Sequence, residues 1–169
     1  MKTTYETPKT SRLHLIFEIA GIIGLILLIG IPWFFYNKLP DEIPTHFGVK
    51  GFADDWGPKK NIWLLPVIGF VIYAVLSFLN FFLVRTTPSG KTDIANENRQ
   101  KEGVYELLQF LKVTISISFA YLVFASIQVS RGNQEGLGQW FLPVFILILT
   151  VVPMFFVVMF SKRRKANKK

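Results

Sequence analysis

Imidazole and carboxylate groups crowd one short stretch of this sequence. Residues 37–61 read NKLPDEIPTHFGVKGFADDWGPKKN. His46, Asp54 and Asp55, with Asp41 or Glu42, could converge there. An imidazole grouped with carboxylates can hold zinc, manganese or nickel, and a histidine beside a carboxylate can run general acid–base chemistry. No HExxH-like spacing fixes such a geometry. The structural alternative has His46 buttressing a folded loop, Asp54 starting a turn or capping the next helix, and Lys59 and Lys60 at a membrane interface. No metal, cofactor or catalytic residue is therefore assigned. With no cysteine in the chain, thiolate nucleophiles, disulfides and cysteine-ligated metals are excluded.

The elements that position these groups are long and apolar. The chain has 169 residues, 51% of them hydrophobic and only 18% charged, against about 25% charged in soluble domains. Mean hydropathy is +0.39. Four apolar runs stand out, at 13–36, 62–84, 113–129 and 140–160, the third extending back toward Val104. A spanning helix needs roughly 20 mostly apolar residues. The runs are apolar on every face, unlike the single stripe of a soluble helix, and lack the alternation of barrel strands. The first run is too long for the core of a cleavable signal peptide. The expected fold is all-α, with four transmembrane helices. Its parts are an N-terminus (1–12), a two-span domain (13–85), a connection (86–103) that becomes helical after Asp93, a second helix pair (104–160) and a basic tail (161–169).

Charge placement sets the expected orientation. Most of the 19 Lys and Arg residues fall at the N-terminus, in the middle connection and in the tail. The loops 37–61 and 130–139 hold only Lys38, Lys50, Lys59, Lys60 and Arg131, balanced by acidic residues. Basic residues collect on the cytoplasmic side, so both termini are placed in the cytoplasm of a multi-pass cell-membrane protein. Trp33, Trp63 and Trp140 then all lie at the outer boundary, where amphipathic aromatics prefer to sit. The tail SKRRKANKK reads as a flank on anionic lipid. Membrane lipids are thus expected partners and nucleic acid is not. Ser89-Gly90-Lys91-Thr92 lacks the earlier glycine of a phosphate-binding loop, since position 85 is arginine.

In that topology Glu18 and Lys112 lie at similar depth and form a candidate intramembrane pair, with His14 one turn before Glu18 and with Glu106 and Gln109 near Lys112. Ionisable residues inside a membrane face the bundle interior and are functional candidates; the alternative is snorkelling to the inner interface. Ala20, Gly21 and Gly24 suggest close helix packing. Thr114, Ser116, Ser118, Ser126, Ser77 and Asn80 are polar groups within spans, which more often bond neighbouring helices than line a path.

The 37–61 loop has three prolines (Pro40, Pro44, Pro58) and three glycines (Gly48, Gly51, Gly57), with Phe47, Phe52 and Trp56 able to pack on the membrane face or span ends. It is expected to fold back as a small cap. In order, Leu39, Pro40, Ile43, Pro44, His46, Phe47, Gly51, Asp54, Trp56, Gly57 and Lys59 resemble the pattern of the domain-of-unknown-function 1648 family. Gly48 stands where that family often has Asn, and Ala53 and Asp55 where it often has Pro and Gly. The resemblance covers roughly residues 30–83. It implies a bacterial membrane protein similar to the N-terminal part of SdpI-type proteins, some of which give immunity to a secreted peptide toxin. Residues 104–169 show no second motif of that type. The resemblance marks Pro40, Pro44, His46, Phe47, Gly51, Asp54, Trp56 and Lys59 as the candidate functional loop. Three functions follow: an immunity or envelope-stress protein recognising a secreted peptide, a lipid or another membrane protein; a small transporter using Glu18 and Lys112; or a membrane enzyme using His46 and Asp54.

Overall fold

The computed structural model of the chain describes residues 12–85 and 94–166. Helix α1 runs Arg12–Phe35 and ends in a 3-10 turn at Tyr36–Lys38. Strands β1 (Glu42–Phe47) and β2 (Ala53–Pro58) follow, then a second 3-10 turn at Lys59–Trp63. Helices α2 (Leu64–Arg85), α3 (Ile94–Ser130) and α4 (Phe141–Ala166) complete it. The prolines fit these bounds. Pro66 and Pro143 fall in the first turns of α2 and α4, where a backbone N–H has no intrahelical partner. Pro32 and Pro153 lie inside helices, as membrane helices tolerate.

Among the described residues three helices are long and apolar enough to cross a membrane: His14–Lys38, Lys59–Leu83 and Gly103–Ser130. Their large apolar side chains point outward, Ile16, Ile26, Phe70 and Phe78 among them. Such a continuous apolar coat fits lipid rather than water. The four-span count is met only in part. The described apolar stretch of α4, Phe141–Phe156, is shorter than the roughly 20 residues of a full span. Its helix continues through Ala166, but the side chains at 159–166 lie outside the description. So do the termini and residues 86–93, which hold much of the basic charge and the Ser89–Thr92 segment.

The helices assemble around α3, against which α1 and α2 both lie, with α4 on it less extensively. Small residues permit the closest approach. A Cβ added at Gly24 would sit 2.5 Å from Ser116 Oγ on α3. The core beside the α1–β1 loop is apolar: Leu28 from α1 meets Ala120, Val123 and Ile127 from α3. Leu39, Ile43 and Ile62 drop onto the same cluster from the loop.

The all-α expectation is corrected in that loop, where β1 and β2 form a two-stranded antiparallel sheet. Glu42 lies opposite Pro58, Ile43 opposite Gly57, Pro44 opposite Trp56, His46 opposite Asp55 and Phe47 opposite Ala53, with irregular register on both sides of His46. The physical reason is backbone demand. A segment seated on an apolar surface must pair its own N–H and C=O groups, and 37–61 is too rich in proline and glycine to do so as a helix.

Candidate functional site

The strands and their turns make a head on the helix ends. The hairpin turn closes by Gly51 N–H donating to the Gly48 carbonyl at 2.8 Å and Gly48 N–H donating to the Phe52 carbonyl at 2.9 Å. Gly51 has φ +81°, which side-chain-bearing residues rarely adopt. The connection between α3 and α4 joins the same head. Phe52 forms an isolated antiparallel bridge with Gly136, and Leu137 N–H donates to the Gly51 carbonyl at 2.8 Å. Tyr121 on α3 then donates to the Leu137 carbonyl at 2.8 Å. A Cβ at Gly136 would collide with the Gly51 carbonyl, so only glycine allows this approach.

The head brings some of the loop candidates together and separates others. His46 Nδ1 meets Asp54 Oδ1 at 2.5 Å. Their side chains are 67% and 52% exposed. Asp55 does not join them and accepts from Thr45 Oγ1 at 3.0 Å. Asp41 pairs with Lys59 Nζ at 3.2 Å, tying the two ends of the hairpin. Among the described residues no three His, Asp or Glu side chains group to hold a metal ion. The wider convergence of His46 with Asp55, Asp41 or Glu42 is therefore not found. An alternating ribbon sends neighbouring side chains to opposite faces. Of the aromatic groups, Trp56 is 47% exposed and Phe47 half-buried. The deep anchors are aliphatic instead: Leu39, Ile43 and Leu137. Pro44 is buried, Pro40 exposed, and Gly51 buried in the turn.

A second polar site lies in the half of the helix bundle away from the head. Lys112 Nζ donates to Glu18 Oε2 at 3.0 Å and to Oε1 at 3.3 Å. Gln109 Nε2 donates to Glu18 Oε2 at 2.5 Å, and Tyr73 OH to Glu18 Oε1 at 3.3 Å. Ser77 Oγ accepts from Lys112 at 3.4 Å. The Lys112 side chain is 3% exposed and that of Glu18 39%. Each of three helices thus contributes a polar stripe. One turn nearer the chain end of α1, His14 Nε2 lies 3.7 Å from Glu106 Oε1, and its ring lies 4.7 Å from Tyr105. Asn80 is buried, and its amide has no hydrogen-bond partner among the described residues. Tyr73 was not singled out from sequence, although 73, 77 and 80 repeat at helical spacing as the polar stripe of an apolar span.

A third feature is an open groove between α3 and α4, lined by Tyr121, Leu137, Trp140, Phe141 and Phe145. It includes neither His46 nor Asp54.

This architecture defines the class: a mostly helical integral membrane protein with a small sheet-bearing head. Residues 22–70 match the model of the family described as Domain of unknown function (DUF1648). The matched stretch takes in the part of α1 nearest the head, the whole head and the start of α2. All eight loop candidates fall within it, whereas Glu18 and Lys112 fall outside. An uncharacterized protein of Archaeoglobus fulgidus is 22% identical over 141 residues, covering 75% of this chain and 77% of its own length. No solved structure matches.

Proposed function

We propose that the chain is a non-enzymatic, four-span membrane protein with both termini cytoplasmic, and that its head recognises an extracytoplasmic peptide or lipid. The biological outcome is protection of the SdpI-like kind, immunity or envelope-stress defence. One observation carries this reading. The head is fastened by backbone bonds between two separate loops and by buried Leu39, Ile43 and Leu137, yet it leaves Asp54, His46, Phe52 and Trp56 exposed. A surface held rigid while its polar and aromatic groups face outward loses little order on binding. Transport through the chain is the weaker reading. Beyond Glu18 and Lys112 the buried side chains toward the head are chiefly apolar, Leu28, Ala120, Val123 and Ile127, with only the hydroxyls of Ser116 and Ser126 among them on α3, and an ion path calls for ionisable groups there.

The test uses cells lacking the protein, exposed to a panel of membrane-active peptides. The deletion is expected to sensitise cells to at least one. Wild-type protein should restore resistance, whereas His46→Ala or Asp54→Asn should not, at equal accumulation in the membrane. Full protection by both variants would remove the head from the function.

A further inference from the structure

Two cations meet at one aromatic ring where the spans end. The apolar stretches of α1 and α3 stop at Lys38 and Ser130, and the next residue after Ser130 is Arg131. Both helices run toward the head and lie along each other. Gly24 packs on Ser116, and Leu28 on Ala120, Val123 and Ile127. Lys38 and Arg131 therefore stand at one level, just beyond the hydrocarbon of the head-side leaflet. Exposed Trp33 and Phe34 border that level from the apolar side, as interfacial aromatics do.

The backbone under both cations is fixed. Lys38 closes the 3-10 turn after α1, and the following residue, Leu39, is buried in the apolar core. Arg131 N–H still donates to the Ile127 carbonyl at 3.2 Å, extending the last turn of α3. Their side chains share a platform. Arg131 Cζ lies 5.5 Å from the centre of the Phe35 ring. Lys38 Nζ lies 5.9 Å from that centre and 4.6 Å from the centre of Phe34. Phe34 and Phe35 stand edge to face at 5.1 Å, and Phe35 packs on the core. A ring face attracts a cation through its quadrupole and leaves the N–H donors of lysine and arginine open to an oxygen acceptor.

Charge names the acceptor. Lys59 is answered by Asp41 and His46 by Asp54, whereas among the described residues no carboxylate pairs with Lys38 or Arg131. Two like charges drawn to one ring repel each other, and an anion between them removes that cost. At this depth the membrane itself supplies the anion, as lipid phosphate. The arginine fork matches two phosphate oxygens, and lysine adds a point charge. A headgroup ammonium next to that phosphate would be repelled by the same two cations, which favours a lipid of net negative charge. We propose that Lys38 and Arg131 hold the phosphodiester of one anionic phospholipid in the head-side leaflet. The site lies at the base of the head and stands apart from whatever the exposed face of the head recognises.

The full chain in detergent micelles is titrated with dioleoylphosphatidylglycerol or dioleoylphosphatidylcholine and read by native mass spectrometry. Wild-type protein should retain one phosphatidylglycerol in preference to phosphatidylcholine. Lys38→Gln and Arg131→Gln should each weaken that retention about fivefold, and the double variant about twenty-five-fold. Lys50→Gln, the same loss of charge at the exposed hairpin turn, should leave it unchanged. Inorganic phosphate at millimolar concentration should not displace the lipid; displacement would assign the cations to a free anion and overturn the lipid site. Equal retention of the two lipids by wild-type protein would overturn it without recourse to any variant. So would unchanged retention in the double variant, or an equal loss in Lys50→Gln. None of these failures touches the recognition reading of the head, which His46→Ala and Asp54→Asn test in cells.

Discussion

Glu18 is served by three donors from two other helices, and Lys112 is almost wholly enclosed. In a low-dielectric interior an ammonium without its carboxylate is far costlier than the pair. Glu18→Gln or Lys112→Met alone should each destabilise the protein by on the order of 2 kcal/mol, somewhat below a fully buried pair because the Glu18 side chain is part-exposed. The Glu18→Gln/Lys112→Met double variant should recover part of that loss. A double-mutant cycle on detergent-solubilised protein, read by thermal unfolding, measures the coupling. Simple additivity would show that the charges act independently. This pair was legible because both residues interrupt apolar runs at matching depth. Tyr73 was not, since a tyrosine in a span reads as one more aromatic until its partner is known.

At the scale of elements, the clasp between the hairpin and the α3–α4 connection is the contact most open to a single change. Gly136→Val places side-chain atoms where the Gly51 carbonyl stands. The expected result is loss of the Leu137-to-Gly51 bond, with faster hydrogen–deuterium exchange at Leu137 and little change in α1 or α2. Unchanged exchange at Leu137 would mean that the clasp does not depend on this approach. The helices themselves could be read from their uniform apolar runs, and the prolines and glycines of 37–61 gave away a folded cap. The strands could not be read. Each is six residues long, each contains a proline, and proline argues against strand assignment. The register irregularity at His46 also blurs the period-two pattern on which such a reading relies. Nor does any local signal tie Gly51 to Leu137, because that bond depends on where α3 delivers the chain.

For the whole molecule, the orientation of the head is testable on a chain without native cysteine. Val49 is 94% exposed at the hairpin tip, and Asn133 is exposed in the second loop. Val49→Cys and Asn133→Cys should react with an impermeant maleimide in intact cells, and Gly90→Cys should not. Gly51 and Gly136 would be poor choices, since both are buried and neither spot leaves room for a side chain. Labelling of Gly90→Cys alone would reverse the proposed topology.

The role of α3 as the shared support has a consequence for how the chain is made. Residues 22–70 carry the recognisable domain, yet α1 and α2 lean chiefly on a helix that comes later. The ribosome delivers Lys112 some 94 residues after Glu18. At about 5–20 residues per second the carboxylate waits roughly 5–20 s for its ammonium. During synthesis the first two helices are therefore an unfinished hairpin with an unanswered acid in the bilayer. A nascent chain stalled before α3 emerges would present that acid to membrane quality control. The domain is a sequence module that becomes a physical one only when its third helix arrives.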